Sequence, residues 1–128
     1  MCGFVGFVGN KKNKEKIIKD MTDKIIHRGP DSEGYYNDDF VSLGFRRLSI
    51  LDLKDRASQP MESSDKNYVI VFNGEIYNHL EIKEYLIKKG YKFKTTSDTE
   101  VLLYGYIEYK EKILNKLRGM FAFTIYDK

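Results

Sequence analysis

Met1-Cys2-Gly3-Phe4-Val5-Gly6 opens the chain and places its only cysteine directly behind the initiator methionine. Aminopeptidases remove an initiator methionine when the next side chain is small, and cysteine is small. The processed chain would begin with a residue that carries both a thiol and a free α-amino group. A thiolate is a strong nucleophile, and an α-amine with a pKa of roughly 7.7–8.0 accepts a proton near neutrality. A terminal amine acting as base for its own residue's nucleophile is a known form of nucleophile–base catalysis. An ordinary second-position cysteine is the competing reading, so the rest of the chain decides. As local structure, Cys2 to Val8 is short, apolar and rich in glycine, the profile of a buried strand closely approached by other backbone or by a ligand.

Working outward, Asn13 is placed to cap a helix with Ile17, Ile18, Met21 and Ile25 on one face. His27-Arg28-Gly29-Pro30-Asp31 breaks it. Phe40 to Phe45 reads as a second strand, residues 46–52 show no clean period, and Lys54 to Asn67 reads as loop. Tyr68 to Phe72 is a β-favouring run that ends in Asn73-Gly74. Asn78 with Glu81 opens a helix closed by Gly90, Tyr91 to Lys94 is extended, and Ser97 with Glu100 opens another helix to about Tyr109. Met120 to Tyr126 is a last strand. Strands and helices mix without strict βαβ alternation, which points to an α+β layered fold.

Composition excludes several classes of function. The 128 residues fit one domain with a real core. The 22 basic and 19 acidic residues are interspersed and give a net charge of +3, so no nucleic-acid or membrane patch is expected. A single cysteine rules out an internal disulfide and suits a reducing compartment. His27 and His79, without short ligand spacing, argue against a zinc site. No secretion signal or membrane-spanning run is visible, so the expected location is the cytoplasm.

Four further positions offer chemistry. Asn73-Gly74 is a hairpin signal, or else a side-chain amide and a backbone N–H able to stabilise an oxyanion. Glu75 lies beside it and reads as a solvated turn carboxylate. Arg47 is a surface arginine or a bidentate partner for a carboxylate. Asp98 is favoured by the helix dipole alone, or holds a cationic group. The residues leave each pair of readings open.

The ordered set of motifs goes further. MCGFVGF, HRGPD at 27–31, GFRRLSILD at 44–52, QP at 59–60, FNGEIYN at 72–78, SDTEVLL at 97–103 and RGMFAFTIYD at 118–127 follow one another along the chain. Together they resemble the glutaminase domain of glutamine-hydrolysing asparagine synthetases, within the class II glutamine amidotransferases. The resemblance implies an N-terminal nucleophile hydrolase fold of two antiparallel sheets between helical layers. It also implies roles: Cys2 as nucleophile, Asn73 and the Gly74 N–H as oxyanion hole, Arg47 for the substrate α-carboxylate, and Glu75 and Asp98 for its α-ammonium. Glutamine would be the substrate, and no metal or cofactor is implied for its hydrolysis. ATP and magnesium are implied only for a synthetase domain, in cis or in trans. Such synthetases continue after the final strand with more of the glutaminase domain and then this ATP-using domain, whose Ser/Gly-rich pyrophosphate loop does not occur here. Residues 1–128 are therefore expected to be a partial glutaminase domain, incomplete at its C-terminal end and marginally stable alone. A silent remnant, a glutamine- or partner-binding module, and the glutaminase part of another class II amidotransferase are the alternatives.

Overall fold

A computed structural model describes residues 2–48 and 58–128. The sequence readings of Ser49 to Ala57 lie outside the described residues. Among the described residues six strands and three α-helices follow in the order β1 (Gly3–Val8), α1 (Lys14–Lys24), β2 (Ser32–Asn37), β3 (Val41–Arg47), β4 (Met61–Glu62), β5 (Tyr68–Ile76), α2 (His79–Lys88), α3 (Asp98–Tyr109) and β6 (Gly119–Asp127). Short 3-10 segments cover Ile26–Arg28 and Lys110–Lys116. The strands form two antiparallel sheets, ordered β1-β3-β2 and β4-β5-β6.

Side-chain alternation turns these sheets into layers, because successive residues of a strand face opposite sides. Val41, Leu43 and Phe45 of β3 pack with Val69 and Val71 of β5, which makes the seam between the sheets. The other face of β5, Ile70, Phe72 and Ile76, packs with Ile82 and Leu86 of α2 and with Val101 to Tyr104 of α3. On the far side of β3, α1 buries Ile18 and Thr22. A side chain on Gly44 would strike Thr22 Oγ1, so glycine there sets how closely α1 lies on the sheet. The order is α1, sheet, sheet, then α2 with α3. This is the layered α+β arrangement expected.

Several local expectations are corrected. Residues 32–37 form β2, although SEGYYN lacks the β-branched residues that mark a strand; pairing with β3 from Ser32↔Arg47 to Asn37↔Ser42 supplies what propensity does not. Asn73-Gly74 does not end its strand. β5 runs on to Ile76, because Gly74 and Glu75 remain paired with Phe121 and Met120 of β6. Met61–Glu62 is a short strand inside the expected loop.

Two of the expected helix caps also differ. Asn13 and Asn78 stand at N-cap positions without a capping side-chain bond. Asn78 instead accepts from Arg118 N (2.9 Å) and donates to Lys116 O (2.7 Å), pinning the entry to β6. Ser97 does cap α3, accepting from Glu100 N at 3.3 Å. Glu100 does not return the bond. Its buried carboxylate collects Lys94 N, Thr95 N and Thr95 Oγ1, and so folds the loop before the helix.

Candidate active site

The rows that meet at the seam change character at one end. In β5, Val69 and Val71 are followed on the same face by Asn73 and Glu75, and in β3 the row Val41, Leu43, Phe45 is followed by Arg47. A cleft of ≈ 660 Å³ opens there, with Cys2, Leu48, Gln59, Asn73, Gly74, Glu75, Asp98 and Thr99 on its walls and Met120 to Ala122 of β6 along one side.

Cys2 is half-buried just ahead of β1, against the seam residues. Its sulfur accepts from the Leu48 N–H at 3.4 Å, with Leu48 O at 4.0 Å. The register Gly3↔Arg46 between β1 and β3 brings these distant segments together. The thiol is therefore held at the mouth of the cleft by backbone that follows Arg47.

Asn73 is half-buried opposite Ala122. Gly74 has φ 146°, a conformation side chains rarely adopt, and a Cβ there would run into Met120 O. Glycine is required at this point on both counts. Antiparallel pairing sends alternate N–H groups to opposite edges of a strand, so Phe72, Gly74 and Ile76 aim theirs away from β6. Two of these three are taken. Phe72 N donates to Gln59 Oε1 at 2.6 Å and Ile76 N to Asp98 Oδ2 at 3.0 Å. Gly74 lies between them, on the cleft wall.

Asp98, in the first turn of α3, lines the cleft, as does the exposed Glu75. Cys2, Asn73, Gly74, Glu75 and Asp98 are thus brought together. Arg47 is not on the cleft's described wall. It ends β3, half-buried, one residue before Leu48, and its carbonyl accepts from Asp31 N at 3.1 Å. The neighbouring Arg46 points the other way, with Nε to Gly29 O at 2.8 Å and Nη1 to Glu33 Oε2 at 2.7 Å. Gly29 lies so close to Arg46–Arg47 backbone that a Cβ would clash. The HRGPD stretch is accordingly a brace behind the end of β3, with His27 exposed.

Sequence reasoning gave no role to Gln59, whose side chain spans from β5 to Thr99 Oγ1 (3.4 Å). The only signal was the QP pair itself. Among the described residues no three His, Cys, Asp or Glu come together in a way that could hold a metal ion, and no described helix is long and apolar enough to cross a membrane.

Two facing antiparallel sheets between helices, with a cysteine leading into the first strand, are the N-terminal nucleophile hydrolase architecture. The glutamine phosphoribosylpyrophosphate amidotransferase of B. subtilis, solved with ADP and GMP, shares it: TM-score 0.80 at 21% identity, covering 99% of this chain and 35% of that one. Residues 1–128 match the family described as glutamine amidotransferase domain, and the chain belongs to that family. Asparagine synthetase (glutamine-hydrolyzing) 1 of Bacillus subtilis (strain 168) is 54% identical over 134 residues, which span all of this chain and 21% of that protein. A putative asparagine synthetase (glutamine-hydrolyzing) 2 of Methanocaldococcus jannaschii is 39% identical across the whole chain and 28% of its own length. The chain thus spans 21–28% of the length of these two relatives.

Proposed function

We propose that this chain hydrolyses glutamine to glutamate and ammonia with Cys2 as nucleophile, as the ammonia-supplying part of asparagine synthesis. The observation that carries the reading is the meeting, in one cleft, of the thiol, an amide side chain, a strand-edge glycine N–H and two carboxylates. Membership of the amidotransferase family and likeness to glutamine-hydrolysing asparagine synthetases supply the substrate class.

In this reading Met1 is removed and the α-amine of Cys2 takes the thiol proton. The sulfur attacks the side-chain amide carbon of glutamine, and the carbonyl π electrons move onto oxygen. Asn73 Nδ2 and the Gly74 N–H stabilise that oxyanion, and because both sit on a paired strand they need no reorganisation as charge develops. The C–N bond then breaks, the ammonium of Cys2 returns its proton to the leaving nitrogen, and ammonia departs. Water attacks the resulting thioester, releases glutamate and restores the thiol. Asp98 commits Oδ2 to Ile76 N and offers its other oxygen to the substrate α-ammonium together with Glu75. Arg47 binds the α-carboxylate, its planar fork matching two oxygens. No step in this sequence calls on a metal or cofactor. Use of the ammonia belongs to a synthetase domain in cis or in trans, where ATP and magnesium enter. Residues 1–128 then act as the glutaminase part alone.

The test is release of glutamate and ammonia from glutamine by the purified chain, beside Cys2→Ala and beside a chain with its N-terminus extended past Cys2. Release by the first and not by the other two supports the reading. Equal release by all three overturns it.

A further inference from the structure

We propose that Gln59 is a positioning residue of this cleft, tying the oxyanion segment of β5 to the start of α3; the proposal rests on reading the cleft as the glutamine site. β4 pairs with β5 through Met61↔Ile70 and Glu62↔Val69, so beyond Ile70 the β4-side edge of β5 has no strand partner among the described residues. Gln59 takes over where the ladder stops. Its Oε1 accepts from Phe72 N at 2.6 Å, as the carbonyl of a continuing strand would, and its Nε2 reaches Thr99 Oγ1 at 3.4 Å. Four residues along the same edge, Asp98 accepts from Ile76 N at 3.0 Å.

The two contacts bracket Asn73-Gly74-Glu75 and end on adjacent residues of α3. The distance between oxyanion donors and ammonium ligands is therefore set by one glutamine side chain and one aspartate. The backbone of Gln59 is itself fixed, because it lies against β2 where Gly34 has no side chain; a Cβ there would meet Gln59 O. The side chain caps Phe72 N and leaves the next N–H along this edge, that of Gly74, on the cleft wall.

Gln59→Met keeps length and bulk and removes both bonds. Gln59→Glu keeps the acceptor for Phe72 N, and the Thr99 hydroxyl can turn to donate to it. Two measurements are made on the 128-residue chain. Amide exchange, read residue by residue by NMR, should quicken about 2- to 10-fold at Phe72 in Gln59→Met, the range expected for losing one buried hydrogen bond. It should stay unchanged at Ile70, whose ladder partner is intact, and return toward the original rate in Gln59→Glu.

Alkylation of Cys2 by 6-diazo-5-oxo-L-norleucine, which presents a glutamine-like carbonyl, should lose on the order of 10- to 100-fold in its maximal rate in Gln59→Met. Alkylation by iodoacetamide, which needs neither oxyanion donors nor ammonium ligands, should not change. A purely structural glutamine would slow both reagents together or neither. Unchanged exchange at Phe72, or equal loss with both reagents, overturns the positioning role. If the unsubstituted chain reacts no faster with the glutamine-like reagent than a Cys2 chain lacking Asn73, the glutamine reading itself falls, and the exchange result still decides whether Gln59 holds the strand.

Discussion

The two halves of β5 share one register and one partner, and they do different work. From Val69 to Val71 the exposure is 0%, since one face meets the other sheet and the other meets α2 and α3. From Asn73 to Glu75 the pairing with β6 continues unbroken, yet the seam-facing side is open and polar. The ladder that organises the core is carried past the end of the core, and the candidate site lies on the overhang. Rigidity comes from the first half and access from the second. A turn at Asn73-Gly74 would have supplied the same residues without the rigidity.

Substitutions along the strand should separate these two roles. The largest effect is expected just across the cleft: Cys2→Ala should abolish glutamine turnover and labelling by a glutamine-like electrophile while the melting midpoint stays put, as mass spectrometry and a thermal melt would show. Asn73→Ala should lower kcat by about 10²–10³, with little change in KM, because the oxyanion exists only after attack. Three residues earlier, Ile70→Ala should do the converse: a loss of about 2–5 kcal/mol in a denaturant titration, with per-molecule activity of the folded fraction preserved. If Ile70→Ala damages kcat as strongly as Asn73→Ala, the two halves are not separable. If Arg47 binds the substrate α-carboxylate as proposed, Arg47→Ala should raise KM on the order of 10- to 100-fold and spare kcat, since that group does not change during reaction. The smallest effect is assigned to Ser97→Ala, about 1 kcal/mol of stability from the lost cap of α3. Any kinetic change beyond that would mean the position of Asp98 depends on the cap.

Much of this was legible because burial writes a strong pattern. YVIVF read as a strand from its β-favouring run, and Cys2 was singled out by its position alone. β2 was not legible, since Ser32-Glu33-Gly34 carries no strand preference and is held by its neighbour. The persistence of β5 through Asn73-Gly74 was hidden for a related reason: local turn chemistry favoured a break, and the pairing that overrides it comes from Gly119 to Ala122, more than forty residues away. Gln59 was invisible in role, because a glutamine that substitutes for a missing strand looks like any loop glutamine. Glu100 was read as one half of a capping box and instead organises the preceding loop. Motif resemblance carried the site assignments where pattern could not.

The adjacent arginines at the end of β3 have a consequence for how the chain tolerates insertions and deletions. Arg46 and Arg47 are the same residue type with opposite fates, one buried against Gly29 and Glu33, the other ending the seam-facing row. A slip of β3 by one position that puts Arg47 in the buried place of Arg46 puts Leu48 where Arg47 stood, so one of the two places keeps its residue type and registers no error. The error would appear further back, where Ser42, Gly44 and Arg46 would be turned into the seam in place of Val41, Leu43 and Phe45. In coding terms the arginine pair is a repeated symbol that carries only part of the frame, and the apolar alternation behind it is the parity check. The end of this strand is thus read correctly because of residues that never touch the cleft.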